Sequence, residues 1–319
     1  MRAIYKDRYG SPDVLGFKEV DKPALTDDGV LVRVRATSIN AHDWHMLRGK
    51  PYLARLSEGF RKPKEWILGL DVAGVAEAVG ANVTHVKPGD AVFGSRYGAF
   101  AEFITGKNMV PMPAGLTFEQ AAAIPTAGQT ALQGLRDHGA LQPGQRVLIN
   151  GAGGGVGTFA VQIAKALGAE VTAVTSTRYV ELMRSIGADE VVDYTRDDFA
   201  RATDRYDLIL DVGGNRRLST MRRALTPSGR VVMVAPQPGQ WIGPVARLAG
   251  AVITTRLGAR PARAFLASVN RDDLNFLKDL IEAGKITPII DRTYAFAAIP
   301  EAIRYVEAGG ARGKVVITV

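Results

Sequence analysis

The sequence predicts an α/β protein in which a doubly wound parallel sheet is inserted into a β-barrel-like domain. Residues 1–122 consist of short apolar or alternating runs interrupted by Gly, Pro and Asp, the pattern of antiparallel strands. From 123 to 260 apolar runs alternate with helical ones, the pattern of a parallel sheet with crossover helices. After 261 two helical stretches and a final apolar run indicate that the chain returns to the first domain.

The individual elements are predicted from the period of the apolar residues and from the turn residues that bound each run. The first region contains predicted strands at 30–36, 71–79, 90–93 and 100–104. The second contains predicted strands at 146–150, 170–176, near 191, 208–212 and 230–234, and helices at 156–167 and 179–186. The last contains predicted helices at 272–283 and 300–308 and a strand at 314–319.

Length and composition narrow the class of protein. At 319 residues the chain is about twice as long as a typical domain, and 46% hydrophobic residues are enough for a large core. The absence of cysteine excludes disulfides, thiolate metal ligands and thiol catalysis. The formal charge of +8 comes from scattered basic residues, which argues against nucleic-acid binding. With no signal-peptide pattern and no long apolar run, we predict a cytoplasmic protein without a membrane partner.

A glycine-rich stretch, NGAGGGVGTFAV, follows one predicted strand and opens a predicted helix. Ala152, Gly154 and Gly157 have A-x-G-x-x-G spacing, and a turn poor in Cβ atoms lets backbone N–H groups approach a pyrophosphate. The spacing alone is a weak signal, but a strand before it and an apolar helix face after it are the context that such a site needs. We therefore predict a Rossmann-type dinucleotide site that also includes Gly155 and Val156.

The end of the next predicted strand indicates which dinucleotide binds. An acidic residue there would accept hydrogen bonds from an adenosine ribose, but this strand ends in Ser176, Thr177 and Arg178. Hydroxyl and guanidinium groups would bind a 2′-phosphate through charge-assisted hydrogen bonds. The sequence thus favours NADPH over NADH, although Arg178 is also compatible with an ordinary solvated arginine.

Eight segments, in order and spread over nearly the whole chain, resemble the medium-chain dehydrogenase/reductase superfamily, specifically its zinc-free quinone oxidoreductase-like branch, which includes the zeta-crystallins. The resemblance implies a GroES-like catalytic domain at 1–122 and 261–319, split by a Rossmann domain at 123–260, with cofactor and substrate in the cleft between them. It also implies a homodimer. The segments are VRVRATSINAHDWHMLRG, GLDVAGVAEAVG, VKPGDAVFG, GAFAEF, GLTFEQAAAIPTAGQTAL, NGAGGGVGTFAVQIAKALGA, YDLILDVGG and ARGKVVITV.

The same resemblance implies roles for three residues outside the glycine stretch. Tyr194, in VVDYT, would help to hold the 2′-phosphate end of NADPH beside Ser176 and Arg178. Thr126, in IPTAGQTAL, would lie near the nicotinamide, and Lys314, in ARGKV, is a candidate on the cofactor side.

Metal-dependent chemistry is not expected from this residue set. Zinc-dependent members of the superfamily need cysteine and histidine ligands, but Asn40 and Leu70 stand at the corresponding positions. His42 and His45 share a helical face without the rest of a zinc pattern. An electrophilic small molecule such as a quinone or an enone needs no Lewis acid, because it accepts hydride when it is aligned and its developing oxyanion meets donors.

Asn40 is the leading candidate for a polar active-site residue, and Tyr52 is a candidate hydrogen-bond or proton donor. Each has a structural alternative, since an Asn often satisfies local backbone groups and a tyrosine is common in loops. Asp43 is expected to anchor structure through a cap or an ion pair. Residues 51–64 form either a lid over the acceptor or a surface loop.

Three functions follow from these expectations. The first is NADPH-dependent, zinc-independent hydride transfer to a quinone or an α,β-unsaturated carbonyl. The second is alcohol or carbonyl redox chemistry with NAD(P). The third is a non-catalytic NADPH-binding protein with a regulatory or structural role, because a fold alone does not establish turnover.

Overall fold

The protein is described by a computed structural model that covers residues 1–50, 52, 55, 59–64, 66–201, 203, 205–234 and 260–319. The chain forms two compact units. We call the first the β unit, which comprises Met1–Ala127, Val269–Glu282 and Pro288–Val319. The second, the α/β unit, comprises Gly128–Ser268 and Ala283–Thr287.

The strands and helices of the described residues are numbered in chain order. The strands are β1 (Arg2–Tyr5), β2 (Gly16–Glu19), β3 (Val30–Ile39), β4 (Asp71–Val79), β5 (Ala91–Ser95), β6 (Phe103–Gly106), β7 (Met109–Pro111), β8 (Arg146–Asn150), β9 (Glu170–Thr175), β10 (Glu190–Asp193), β11 (Tyr206–Asp211), β12 (Leu225–Met233), β13 (Ala262–Ala264), β14 (Ile290–Ala295) and β15 (Lys314–Thr318). The helices are α1 (Ala41–Arg48), α2 (Phe118–Ala122), α3 (Pro125–Gln133), α4 (Gly155–Ala166), α5 (Val180–Ser185), α6 (Leu218–Ala224), α7 (Arg271–Glu282) and α8 (Ile299–Glu307).

The β unit is built on a sheet with the order β14-β15-β3-β4-β5-β7, and β6 pairs with β3 outside this path. The C-terminal strand β15 lies antiparallel beside β3, with Val315 opposite Ile39. On the other side of β3, Ser38 lies opposite Asp71 at the start of β4. The register therefore brings the end of β3 and the starts of β4 and β15 to one place in this unit.

The α/β unit contains a parallel sheet with the order β10-β9-β8-β11-β12-β13. From β8 the chain adds β9 and β10 in one direction, and then β11, β12 and β13 in the other. The strand order reverses between β8 and β11, and open α/β sheets bind ligands beyond the carboxyl ends of the strands at such a point. The glycine-rich stretch lies there, between β8 and α4.

The predicted fold class is confirmed: the chain has a doubly wound parallel sheet and a separate β domain to which its C-terminal segments return. Several strand bounds differ from the predicted ones. β12 begins at Leu225 instead of 230, and β5 ends at Ser95 instead of 93. The run at 100–104 pairs as β6 only from Phe103 onward, because the residues before it bond elsewhere: the N–H of Phe100 donates to Leu68 and that of Glu102 to Arg2. β3 continues past 36 to Ile39, since β15 supplies a partner along this whole stretch.

Candidate active site

A buried polar cluster lies in the β unit where β3 ends and β4 and β15 begin. It consists of Ser38, Asn40, Asp71, Thr126 and Lys314, and we call it the Asp71 cluster. Asp71 is 0% exposed and Lys314 is 3% exposed, so both charges lie in the protein interior. A buried ion pair is tolerated only when the remaining lone pairs and hydrogens are satisfied.

Hydrogen-bond donors surround the Asp71 carboxylate. Oδ1 accepts from the backbone N–H of Thr126 at 2.8 Å and from its hydroxyl at 2.5 Å. Oδ2 accepts from Ser38 Oγ at 2.7 Å, Asn40 Nδ2 at 2.9 Å and Lys314 Nζ at 3.2 Å. The carboxylate thereby holds together residues from two strands, helix α3 and the start of α1.

Lys314 directs its ammonium group at oxygen atoms of the β unit. Nζ donates to Asn40 Oδ1 at 2.6 Å, Asp71 Oδ2 at 3.2 Å and the carbonyl of Ile39 at 3.3 Å. A lysine has three hydrogens to donate, and these three acceptors use all of them. Lys314 is thus placed to orient Asn40, and its role on the cofactor side stays a prediction.

The amide of Asn40 is held in one orientation by the two buried charges. Its oxygen accepts from Lys314 and its nitrogen donates to Asp71, so the amide cannot flip without losing both bonds. The second hydrogen of the amide nitrogen has no acceptor among the residues that the structure describes. Asn40 therefore holds one N–H in a fixed orientation without a hydrogen-bond acceptor among the described residues.

Asp43 anchors the start of helix α1, as expected from the sequence. Its buried carboxylate accepts from the N–H of Asn40 at 2.7 Å and from the N–H of Gly69 at 3.2 Å. Gly69 has a φ of 91°, a conformation that favours glycine, and it lies two positions before Asp71, the first residue of β4. Burial raises the pKa of Asp43 to about 7, against the effect of these two donors. Asp43 thus fixes the backbone on both sides of the Asp71 cluster.

His42 lies beside Asp43 at a small cavity. The cavity has a volume of about 10 Å³, enough for one water molecule, and its lining includes Lys6, Leu68 and Tyr97. His42 Nε2 is buried and has no hydrogen-bond partner among the described residues. Burial, with the nearby charges of His45 and Lys6, lowers the pKa of His42 to about 4.

We expect His42→Phe to make the protein less sensitive to acid. The unfolded chain protonates His42 near 6.5 and the folded chain only near 4, so stability from this residue is lost as the pH falls through that interval, by up to about 3 kcal/mol. Asp43 has the opposite effect, because its raised pKa stabilises the folded state as the pH falls below about 7. The His42→Phe substitution leaves Asp43 unchanged. Urea unfolding of both proteins over this pH range measures the difference. Equal pH dependence in the two would contradict the assignment.

The glycine-rich turn of the α/β unit joins the end of β8 to helix α4. Gly151 has a φ of 87°, and Gly154 precedes the helix with extended backbone. Gly155, Val156 and Gly157 are the first residues of α4, so their N–H groups have no acceptor within the helix. Such N–H groups, with the helix dipole, favour binding of a phosphate.

Of Gly154 and Gly157 in this turn, only Gly157 must be glycine for the protein's own packing. A Cβ on Gly157 would lie 2.4 Å from the carbonyl oxygen of Gly151 and 2.5 Å from that of Ala152, so the turn itself requires glycine there. A Cβ on Gly154 would meet nothing nearer than 3.9 Å, and its φ of −88° suits any residue. Neither packing nor backbone conformation requires glycine at 154. The open space before the helix fits the close approach of a dinucleotide pyrophosphate.

The three residues predicted to bind a 2′-phosphate lie after the neighbouring strands β9 and β10. Ser176 follows β9 and Tyr194 follows β10, and the N–H of Tyr194 donates to Thr175 at 2.9 Å. The Tyr194 side chain is exposed, and the exposed Arg178 guanidinium lies 4.6 Å from the Tyr179 ring centre. Thr177, between Ser176 and Arg178, donates to Asp193, a residue that the sequence reasoning did not single out.

The structure bears less directly on the expectations for Tyr52, for the segment 51–64, and for metal and membrane binding. Tyr52 is partly exposed, and the Arg55 guanidinium lies 4.8 Å from its ring centre; its role as a donor stays a prediction. The lid prediction for 51–64 includes positions 51, 53, 54 and 56–58, which lie outside the described residues. Within the described part of the chain, no three His, Asp or Glu residues are grouped to hold a metal ion. None of the described helices combines the length and the apolar character that a membrane span requires.

Comparisons with known proteins agree with this architecture. A family described as alcohol dehydrogenase GroES-like domain matches residues 26–114, and one described as zinc-binding dehydrogenase matches 186–317. The mitochondrial NAD(P)H oxidoreductase RTN4IP1 of Bos taurus is 34% identical, over 100% of this chain and 89% of that protein. The chloroplastic NADPH-dependent alkenal/one oxidoreductase of Arabidopsis thaliana is 31% identical, over 98% of this chain and 78% of that protein. The structure of the quinone oxidoreductase from Coxiella burnetii has a TM-score of 0.87 at 28% sequence identity, over 100% of this chain and 99% of that protein.

Proposed function

The chain belongs to the medium-chain dehydrogenase/reductase superfamily, as an oxidoreductase of its quinone oxidoreductase-like branch, and from this premise we propose that it transfers hydride from NADPH to a quinone or an α,β-unsaturated carbonyl compound without a zinc ion. The observation that carries the proposal is the Asn40 amide, which two buried charges hold in place with one N–H left to donate.

The α/β unit contains residues that suit NADPH. The N–H groups of Gly155, Val156 and Gly157 would bind the pyrophosphate, with Ala152 and Gly154 leaving room for it. Ser176, Arg178 and Tyr194 would hold the 2′-phosphate through hydroxyl and guanidinium donors. When bound, NADPH supplies the hydride.

In the β unit, Asn40 would donate to the acceptor oxygen on which negative charge develops. Lys314 and Asp71 hold the amide in a fixed orientation, so the amide need not rotate as the charge forms. Removal of one such preorganised donor in an enzyme typically lowers kcat about a hundredfold to a thousandfold. Thr126 donates twice to Asp71, and in this proposal it fixes the cluster and lies near the nicotinamide.

The remaining proton would come from Tyr52 or from solvent. Zinc is not needed in this scheme, because a quinone or an enone is electrophilic without a Lewis acid. Asn40 and Leu70 provide neither a thiolate nor an imidazole, the donor groups from which catalytic zinc sites are built. A homodimer and a cytoplasmic location remain parts of the proposal; some relatives are named as mitochondrial or chloroplastic.

Arg178→Ala tests the preference for NADPH. Loss of the guanidinium should weaken NADPH binding about tenfold and leave NADH within about twofold, because only NADPH carries the 2′-phosphate. Fluorescence titration with both dinucleotides gives the two Kd values. Equal weakening of both would show that Arg178 does not contact the 2′-phosphate.

A further inference from the structure

A carboxylate lies among the residues proposed to bind the 2′-phosphate. Asp193 is the last residue of β10, and the register of the sheet places it opposite Thr175 at the end of β9. Ser176, Thr177 and Arg178 follow directly on that neighbouring strand. The sequence of β9 has no acid at its end, but the adjacent strand supplies one.

The Asp193 carboxylate is bound by the loops that follow both strands. Oδ2 accepts from the Thr177 hydroxyl at 2.6 Å. Oδ1 accepts from the Thr195 hydroxyl at 2.8 Å and from its N–H at 3.0 Å. Both hydroxyl hydrogens are thereby used by the carboxylate, so neither threonine donates to a phosphate without breaking a bond to Asp193.

Asp193 carries its negative charge at neutral pH. The Thr177 hydrogen bond, followed by those of Thr195 and the charge of Arg196, lowers the pKa of its carboxyl. Arg196 neutralises it only partly, since its Nε lies 3.7 Å from Oδ2 and its side chain is 77% exposed. A negative charge that is only partly neutralised thus adjoins the segment from Ser176 to Arg178.

We propose that Asp193 is a specificity-determining residue that limits the preference of this site for 2′-phosphorylated dinucleotides. Its hydrogen bonds hold the Thr177 and Thr195 loops in place, and its charge opposes the 2′-phosphate. The inference rests on the proposed function, because it takes Ser176, Arg178 and Tyr194 as the 2′-phosphate site.

Asp193→Asn separates the charge from the hydrogen bonds. An asparagine oxygen still accepts from Thr195, and its NH₂ group donates to the Thr177 oxygen, so the loops stay tied. The probes are 2′,5′-ADP and 5′-AMP, which differ by the 2′-phosphate alone, and their Kd values are measured by calorimetry. At low salt we expect 2′,5′-ADP to bind about threefold or more tightly than to the wild type, with 5′-AMP within about twofold, and the gain to shrink in high salt as charges are screened.

Asp197→Asn is the matched control. It removes the same charge four residues away, from an exposed side chain that pairs with Arg201 at 3.7 Å. We expect it to change both Kd values by less than about twofold, because exposed charges are well screened. Asp193→Ala, which also removes the hydrogen bonds, should weaken both probes.

An unchanged ratio of the two Kd values in Asp193→Asn, or weaker binding of 2′,5′-ADP, would overturn the inference. A gain of equal size in Asp197→Asn would also overturn it, by showing a general charge effect. Arg178→Ala with the same probes separates this from failure of the proposed function. If that variant binds 2′,5′-ADP as the wild type does, the 2′-phosphate site itself is wrong; if it binds weakly while Asp193→Asn has no effect, only the role of Asp193 is wrong.

Discussion

Gly154→Asp is expected to fold normally and to weaken NADPH binding by at least about a hundredfold. A Cβ there would lie 3.9 Å from its nearest neighbour, the carbonyl oxygen of Gly151, so it fits without a clash. Aspartate is a favoured residue before a helix, and its charge suits the helix N-terminus. The same carboxylate would occupy the space proposed for the pyrophosphate and repel its charge. Thermal unfolding and titration with NADPH measure the two effects on one sample.

Gly157→Ala and Gly16→Asp are the controls for this prediction. The alanine Cβ would collide with two backbone oxygens, so we expect a loss of about 1–3 kcal/mol in the free energy of unfolding, the usual cost of overpacking. Gly16 has open space around it in the β unit, so the same change to aspartate there should leave NADPH binding unaltered. Wild-type affinity for NADPH in Gly154→Asp would contradict the position of the pyrophosphate.

Lys314→Met is expected to lower the free energy of unfolding by about 3–5 kcal/mol. The substitution removes the only cation from the Asp71 cluster as defined above and leaves a fully buried carboxylate without its ion-pair partner. It also frees the Asn40 oxygen, so the amide loses its fixed orientation. Urea unfolding measures the stability.

An exposed ion pair of the same unit provides the comparison for Lys314. Lys107 and Asp28 approach to 2.8 Å, but their side chains are 66% and 51% exposed. Lys107→Met should therefore cost less than about 1 kcal/mol. Adding Asp71→Asn to Lys314→Met should restore part of the lost stability, because the unpaired charge is then absent. A loss in Lys314→Met no larger than in Lys107→Met would show that the buried pair does not hold the cluster.

The dinucleotide turn could be predicted because its residues are consecutive. Ala152 to Gly157 lie between a strand and a helix whose apolar patterns are both clear in the sequence. The structure adds a distinction that spacing does not give, namely that Gly157 is required by packing and Gly154 is not.

The Asp71 cluster could not be predicted as a unit, because its members are far apart in the chain. Asp71 and Lys314 are separated by 243 positions and meet only through the pairing of β3 with both β4 and β15. One signal was available: DVAGVAEAV and KVVITV are apolar strands that begin with opposite charges. Buried charges need a partner, so the charges at the starts of these two strands could have been inferred to pair with each other.

Asp193 shows how a correct sequence observation can be incomplete. The strand that ends at Thr175 has no carboxylate at its end, as noted from the sequence. The acid comes from the neighbouring strand, and only the parallel register of β9 and β10 reveals that it lies opposite.

The central claim is that NADPH reduces an electrophilic acceptor at a site that needs no metal. Its most direct test is NADPH oxidation with a panel of quinones and enones, using protein stripped with a chelator and assayed for zinc. We expect acceptor-dependent oxidation that survives removal of metal and that falls about a hundredfold or more in Asn40→Ala. Activity that tracks stoichiometric zinc, or no oxidation above background with any acceptor, would contradict the account.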